Sequence, residues 1–250
     1  MKKEQLIILS DMEVVQSMKS MVNVIDENVS IDDKYQSLGC QLSKLDDETN
    51  LEYKTLFQYV ESTKPSGIRL TNIWKVDRSE QVSANFKAFD DDKNRKLLWH
   101  GTKMAVVAAI LKNGLKIMPH SGGSLGKGIY FASQLSKSAS FSNDCNNRRF
   151  LVFLCEVVLG KEFSMVDGDR KISKDNLKDG IQSVVGRGRQ EPNPKLNVKM
   201  DIDGRKVIVP QGEPVEMAKF SQSKFPNSEY VIYDESQCQI RYLCEFMPLK

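Results

Sequence analysis

Histidine is nearly absent from this chain: among 250 residues there are two, His100 and His120. Neither has an E-x-x-H companion, which nearly excludes an imidazole-based metal centre, and no metal ligand is expected. Cysteine is scarce as well. The five, Cys40, Cys145, Cys155, Cys238 and Cys244, are odd in number and form no C-x-x-C pair. That pattern points to reduced thiols in a cytosolic or nuclear compartment, and away from a disulfide framework. No apolar run approaches the ~18 residues of a membrane span. The opening "MKKEQLIILSDMEVV" starts like a signal peptide, but Asp11 and Glu13 break its apolar part, and a short amphipathic helix is expected instead. Charge of one sign is also missing. Lys and Arg number 36 against 33 Asp and Glu, a net +3 that is too weak to indicate nucleic acid without a clustered patch.

The familiar nucleotide loops fail too. "SGGSLGKGIYF" holds a Gly-Lys pair, but a P-loop needs Gly where Ser121 stands and Ser or Thr where Gly128 stands. From Gly126, "GKGIYF" lacks the third glycine of the dinucleotide fingerprint, and a strand follows where that fingerprint needs a helix.

What is present is an ordinary globular composition, 40% hydrophobic and 28% charged. Leu9, Met12, Val15, Met18 and Val22 form one apolar stripe and predict a helix within 4–23. "DENVSIDDKYQ" reads as a polar connector. A second helix is expected from Asp47 to Thr63, with Tyr53, Leu56, Phe57 and Val60 on its apolar face and "KPSG" ending it. From Ile68 the texture changes to short β-type segments: "IRLTNIWKV", "KLLWH", "GIYFA", "FLVFLCEVVL", "IQSVV", "RKVIVP", "EYVIYD" and "QIRYLCEFM". Helices are expected at 103–113, closed by Gly114, and at 134–142. The last three strands follow one another without helices, so an α+β fold fits better than an alternating βαβ one. The charged stretches 90–96 and 167–179 read as solvated loops.

Several functional side chains fall at strand ends. His100 and Gly101 close "KLLWHG", and Tyr130 lies in "GKGIYFA". Lys137 and Ser138 lie in "QLSKSASF", with Phe141 a turn further on, and Glu229 opens "EYVIYD". Taken singly, each has an ordinary structural reading: a satisfied histidine, a core tyrosine, a solvated carboxylate.

Together, "LLWHGT", "GLKIMPHSGG", "GKGIYFA", "SKSASF" and "NSEYVIYDESQCQIRYL" resemble the catalytic domain of the poly(ADP-ribose) polymerase (PARP) family of ADP-ribosyltransferases. The similarity spans roughly residues 30–250. His100, Tyr130 and Glu229 match the order of that family's diphtheria-toxin-like triad. "HGTKMAVVAAILKNGLKIMPHSGG" and "VIVPQGEPV" look closest to the third of its DNA-dependent members, a mainly mono-ADP-ribosylating one. The resemblance implies two packed, mainly antiparallel sheets around an NAD+ cleft, preceded by an N-terminal helix. Residues 1–29 would be a remnant of the regulatory helical domain, and 30–250 the catalytic domain.

The activity implied is transfer of ADP-ribose from NAD+, used as substrate without a metal, to protein side chains. Glu229 would be the catalytic carboxylate, with Lys137 positioning it. His100 would hold the adenosine ribose, and Gly101 and Ser138 the nicotinamide amide. Tyr130 and Phe141 would stack on the nicotinamide ring; the family usually has a second Tyr at the latter position. Thr102, Lys116 and Gly128 would complete the NAD+ contacts, Lys116 standing where relatives often have Arg. Polymerising relatives tend to carry Met and Tyr where this chain has Ser124 and Asn227, so mono- or short oligo-ADP-ribosylation is expected. Other expectations are protein acceptors including the chain itself, no nucleic-acid module in this chain, no membrane partner and a monomer. A nuclear location, with cytoplasm as a second, a part in the DNA damage response and activity without DNA complete the reading. The alternative is a catalytically weak module that binds NAD+ or a partner.

Overall fold

The computed structural model describes residues 30–78, 85–118, 122–142, 149–178 and 180–249. The helix expected within 4–23, His120 and Cys145 lie outside the described residues.

The first described helix, α1 (Ile31–Gln36), corrects the reading of a polar connector. Ser30 caps it, its Oγ accepting the Asp33 N–H at 3.1 Å. Strand β1 (Cys40–Lys44) follows, then α2 (Leu51–Thr63). The latter starts four residues later than expected because the Asp47 carboxylate takes the Thr49 N–H at 2.9 Å. That local turn competes with a helix, and Asn50 becomes the cap. At the other end Lys64, preceding Pro65, is extended (ψ 153°), the conformation proline forces on its predecessor. The buried face holds Leu56, Tyr59 and Val60; Phe57, expected inside, is 42% exposed.

Strands β2 (Ile68–Arg78) and β3 (Arg95–Gly101) lead to a 3₁₀ turn at 104–106 and α3 (Val107–Asn113). Gly114 closes α3 with φ +79°. Next come β4 (Ile129–Ala132), α4 (Leu135–Ser142), β5 (Phe150–Val158), β6 (Glu162–Met165) and β7 (Ser183–Gly186). The rest is strand: β8 (Gln190–Pro192), β9 (Val198–Ile202), β10 (Arg205–Val209), β11 (Pro214–Glu216), β12 (Glu229–Ile232) and β13 (Cys238–Pro248).

Eleven of these strands form one sheet, running β1-β2-β13-β5-β3-β4-β12-β7-β6 with β10 and β9 added at β3; β8 and β11 form a small second one. The fold is α+β and mainly antiparallel, with parallel pairing only at β3–β10 and β6–β7 among the named strands. The two packed sheets of the expectation are two halves of the large one. β3 pairs with β5 from Arg95 to Gly101, but with β4 at the single position Trp99↔Ala132. Beyond that pair the strands part, and the edge of β3 facing β4 opens at His100 and Gly101.

The core follows from this division. Trp99, Tyr59, Leu56 and Leu135 lie fully buried between α2, α4 and one face of the sheet. Tyr59 Oη donates to the Ser133 carbonyl at 2.8 Å, so α2 is tied to the turn between β4 and α4. A second cluster around Leu98, Phe131, Phe153 and Tyr230 fills the other side. Burying each such side chain contributes about 1.5–3 kcal/mol.

Candidate active site

The parting of β3 and β4 is the floor of a cleft of about 620 Å³, within the usual range of small-molecule sites. The residues expected to hold NAD+ or act on it all line it: His100, Gly101 and Thr102 from the end of β3, Lys116, Gly128, Tyr130, Lys137, Ser138, Phe141 and Glu229; of the two product-length positions Ser124 lines it and Asn227 does not. Register explains the convergence. Ala132 faces both Trp99 and Glu229, so the start of β12 is brought opposite the end of β3.

His100 Nδ1 lies 2.8 Å from the Tyr130 carbonyl oxygen. A carbonyl only accepts, so Nδ1 carries the proton and Nε2 of the neutral ring is an acceptor. Burial lowers the imidazole pKa, while the carbonyl contact works in the opposite direction and is the weaker influence. A neutral ring suits acceptance of a hydroxyl proton.

Gly101 is a glycine for a reason the sequence did not show. A Cβ there would sit 1.8 Å from the Ser138 carbonyl oxygen, inside the backbone of α4. The space a Cβ would need is already taken by the helix. The Ser138 hydroxyl donates to the Trp99 carbonyl at 3.1 Å, and Ser142 Oγ accepts the Thr102 N–H at 2.9 Å. Two serines one turn apart thus dock α4 onto the end of β3. To donate to an amide oxygen, Ser138 must release Trp99; as it stands its oxygen can accept from an amide NH₂.

Tyr130 has a committed hydroxyl as well. It donates to the Gly126 carbonyl at 2.6 Å and accepts the Leu125 N–H at 3.0 Å, and burial pushes its pKa up to about 12. The ring therefore carries the loop at 122–126 over the cleft. Those residues, Gly-Gly-Ser-Leu-Gly, have the G-x-S-x-G spelling of a serine nucleophile elbow. They do not form one, because the stretch turns into β4 and no helix follows it. Residues 119–121 of the same loop lie outside the described residues.

Glu229 Oε1 accepts from Lys137 Nζ at 2.5 Å. This is the one ion pair of the cleft between two predicted site residues among those described. Lys116 reaches the cleft wall, but its Nζ is held by Glu235 at 2.8 Å. At Gly128 a Cβ would lie 2.5 Å from Val231 Cγ1, so this glycine serves the close packing of β4 on β12. Phe141 is 65% exposed and presents its ring at the rim. Ser142, Glu235 and the part-buried hydrogen bond between Tyr230 and Glu191 were missed from sequence. Their partners lie 40, 118 and 39 residues away, and no local pattern carries that information. Among the described residues no group of three or more His, Cys, Asp or Glu is placed to hold a metal ion, and no helix is long and apolar enough to cross a membrane.

Comparison with known proteins points to one family. Residues 50–247 match the family model described as the poly(ADP-ribose) polymerase catalytic domain. The protein mono-ADP-ribosyltransferase PARP3 of Gallus gallus is 46% identical over 246 residues, which is 98% of this chain and 46% of the relative. The human PARP3 is 45% identical over 259 residues, covering 98% of this chain and 47% of the relative. A poly [ADP-ribose] polymerase of Drosophila melanogaster is 34% identical over 251 residues, 96% of this chain and 24% of the relative. The chain thus spans about half the length, or less, of the curated relatives it matches. With a family model covering most of its length and the triad gathered in one cleft, the chain belongs to the poly(ADP-ribose) polymerase catalytic-domain family.

Proposed function

We propose that this chain is an NAD+-dependent protein ADP-ribosyltransferase that attaches single or short ADP-ribose units to protein side chains, its own included. The observation that carries the reading is the gathering of His100, Tyr130 and the Lys137–Glu229 pair in one cleft. The names of the PARP3 relatives, mono-ADP-ribosyltransferases, support the short product.

In the reaction the bond between nicotinamide and ribose C1′ breaks, and a bond from C1′ to the acceptor side chain forms. Nicotinamide keeps the bonding electrons and leaves neutral, so no acid is needed to expel it. The acceptor's proton passes to Glu229 and on to solvent. The single carboxylate beside the anomeric carbon stabilises the cationic centre, and its pairing with Lys137 holds it there. His100 Nε2 accepts from the adenosine ribose hydroxyl, Gly101 and Ser138 take the amide, and the rings of Tyr130 and Phe141 flank the pyridinium. Thr102, Lys116 and Gly128 form the remaining wall.

The test is nicotinamide release by wild type against Glu229→Gln. A fall of about 10²–10³ is expected, the size found when one charge-stabilising group is removed. Equal rates would sink the catalytic assignment and leave the alternative, an NAD+-binding module. Retention of both His100 and Glu229 favours the enzyme. Mass spectrometry of automodified protein reads product length, and long ladders would overturn the short-product reading.

The wider setting follows the family. We place residues 30–250 as the catalytic unit and 1–29 as part of a regulatory helical segment. The protein is read as a metal-free monomer that responds to DNA damage in the nucleus, with cytoplasm as a second location. Membranes and direct nucleic-acid contact by this chain are not part of the reading. Light scattering, imaging of the tagged protein and rates with and without nicked DNA test these points. A strong rate increase on adding DNA would contradict activity without it.

A further inference from the structure

Behind the wall of the NAD+ cleft lies a second cavity of about 510 Å³. Residues 113–116, the end of α3 and the chain after it, separate the two spaces and line both. Three cations face the second cavity, Arg78, Lys116 and Lys174, together with two carboxylates, Asp234 and Glu235. Both carboxylates already have a cation: Lys174 Nζ lies 2.7 Å from Asp234 Oδ2, and Lys116 Nζ 2.8 Å from Glu235 Oε2.

Arg78 is left over. Its side chain is buried, 6% exposed, yet among the described residues no carboxylate pairs with it. Its one hydrogen bond there runs from Nη2 to the Lys112 carbonyl at 2.9 Å. Gly114 makes room for the guanidinium, since a Cβ at that position would lie 2.8 Å from Arg78 Nη1. Cys40, Cys155 and Cys238 lie within electrostatic reach of it. Burial raises the pKa of all three, so they stay neutral thiols and supply no counter-charge. On the same wall the Asn113 amide nitrogen is buried and, among the described residues, has no acceptor. A desolvated guanidinium with unused donors is costly unless an anion meets it, and a planar fork of N–H groups suits an oxyanion.

We propose that this cavity is a binding site for a small phosphate-class oxyanion, gripped by the unused donors of Arg78 and by Asn113 Nδ2. Lys116 and Lys174 add positive potential at its rim. Because residues 113–116 are common to both cavities, occupancy reaches the NAD+ cleft through a shared wall. The site stands apart from the transfer chemistry, and its test reads binding and not turnover.

The experiment is a titration of the whole chain with inorganic phosphate and, in a second arm, glycerol 3-phosphate. It is followed by ³¹P line broadening and thermal unfolding, with sodium chloride holding ionic strength constant. Saturable binding and a raised Tm are expected in wild type, in one arm or both. The arm that binds tells free phosphate from a phosphate monoester. Arg78→Gln should weaken the binding by about tenfold or more, as loss of a charged hydrogen-bond donor does. Asn113→Asp, which sets a carboxylate at the site, should do the same, and serves if Arg78→Gln does not fold. Absence of saturable binding in both arms would overturn the proposal. Binding that NAD+ displaces but that both variants leave unchanged would also overturn it, by placing the anion in the NAD+ cleft.

Discussion

Lys137 Nζ sits 2.5 Å from Glu229 Oε1, and the two side chains are only 20% and 17% exposed. The pair ties α4 to the first residue of β12 and fixes the carboxylate from one side. Lys137→Met should therefore lower kcat for NAD+ consumption by ~10–100-fold, the value of a charge-assisted hydrogen bond, while KM for NAD+ stays nearly constant. Lys137→Arg should recover part of the rate. Steady-state nicotinamide release separates the cases. A raised KM at unchanged kcat would make Lys137 a substrate-binding residue.

Gly101→Ala should unsettle the fold before it affects chemistry. The new methyl meets the Ser138 carbonyl at 1.8 Å, so α4 must move or β3 must bend. Overpacking of this kind costs about 1–3 kcal/mol, and it displaces Lys137 and Ser138 together. Urea denaturation reads the stability, and NAD+ turnover should fall with it. An unchanged midpoint would show that the helix yields freely.

The imidazole of His100 supplies the pH dependence. Burial depresses its folded-state pKa below the ordinary 6.5, so the unfolded chain takes up this proton first as pH falls. Stability from this group is fully present above about pH 6.5 and is lost as pH drops towards the folded pKa. Across the same acidic window Nε2 gains a proton and ceases to accept, and KM for NAD+ should rise. From pH 7 to 8 KM should be flat. A His100→Gln variant should lose the acidic rise, and a rise that persists in it would assign the titration elsewhere.

A buried charge cluster predicts stability and not activity. Glu156, fully buried, accepts from Arg95 Nη1 at 2.9 Å and from Arg241 Nε at 2.8 Å. The guanidinium carbons of Arg95, Arg205 and Arg241 lie 5.1, 5.5 and 5.8 Å from the Phe86 ring centroid. Glu156→Gln leaves buried guanidinium charge without its central anion, and should cost about 3–5 kcal/mol in chemical denaturation. A loss below about 1 kcal/mol would mean that the exposed Asp90, paired with Arg95 and Arg205, and Asp203, paired with Arg205 and Arg241, suffice as counter-charges.

Much of this molecule was legible in its sequence where local pattern decides the outcome. The run "FLVFLCEVVL" reads as a β-type segment, and Phe150–Val158 is a strand, buried at every position but Leu151. The edge strands β1 and β9 escaped notice because each is only five residues long and partly exposed, although apolar and polar residues alternate in both. Their pairing with β2 and β10 makes them strands. The site was legible as a set of residues because its motifs are local: His100 with Gly101, Lys137 with Ser138. What each does to its neighbours was not. Ser138 meets Trp99, Tyr130 meets Gly126 and Lys116 meets Glu235 through packing that spans 39, 4 and 119 residues. Even the four-residue case needs the loop's three-dimensional course.

The lone Trp99↔Ala132 pair has a mechanical meaning. It is a rivet between two plates, one ending at β3 and the other beginning at β4. By contrast β12 shares four pairs with each of β4 and β7. On the proposed reading the reactants meet along a line where the sheet is joined by one pair. A molecule that touches His100 on one plate and Glu229 on the other adds a further tie across that line, beside the one His100 Nδ1 already makes to the Tyr130 carbonyl. Substrate, while it is bound, completes the architecture that holds it.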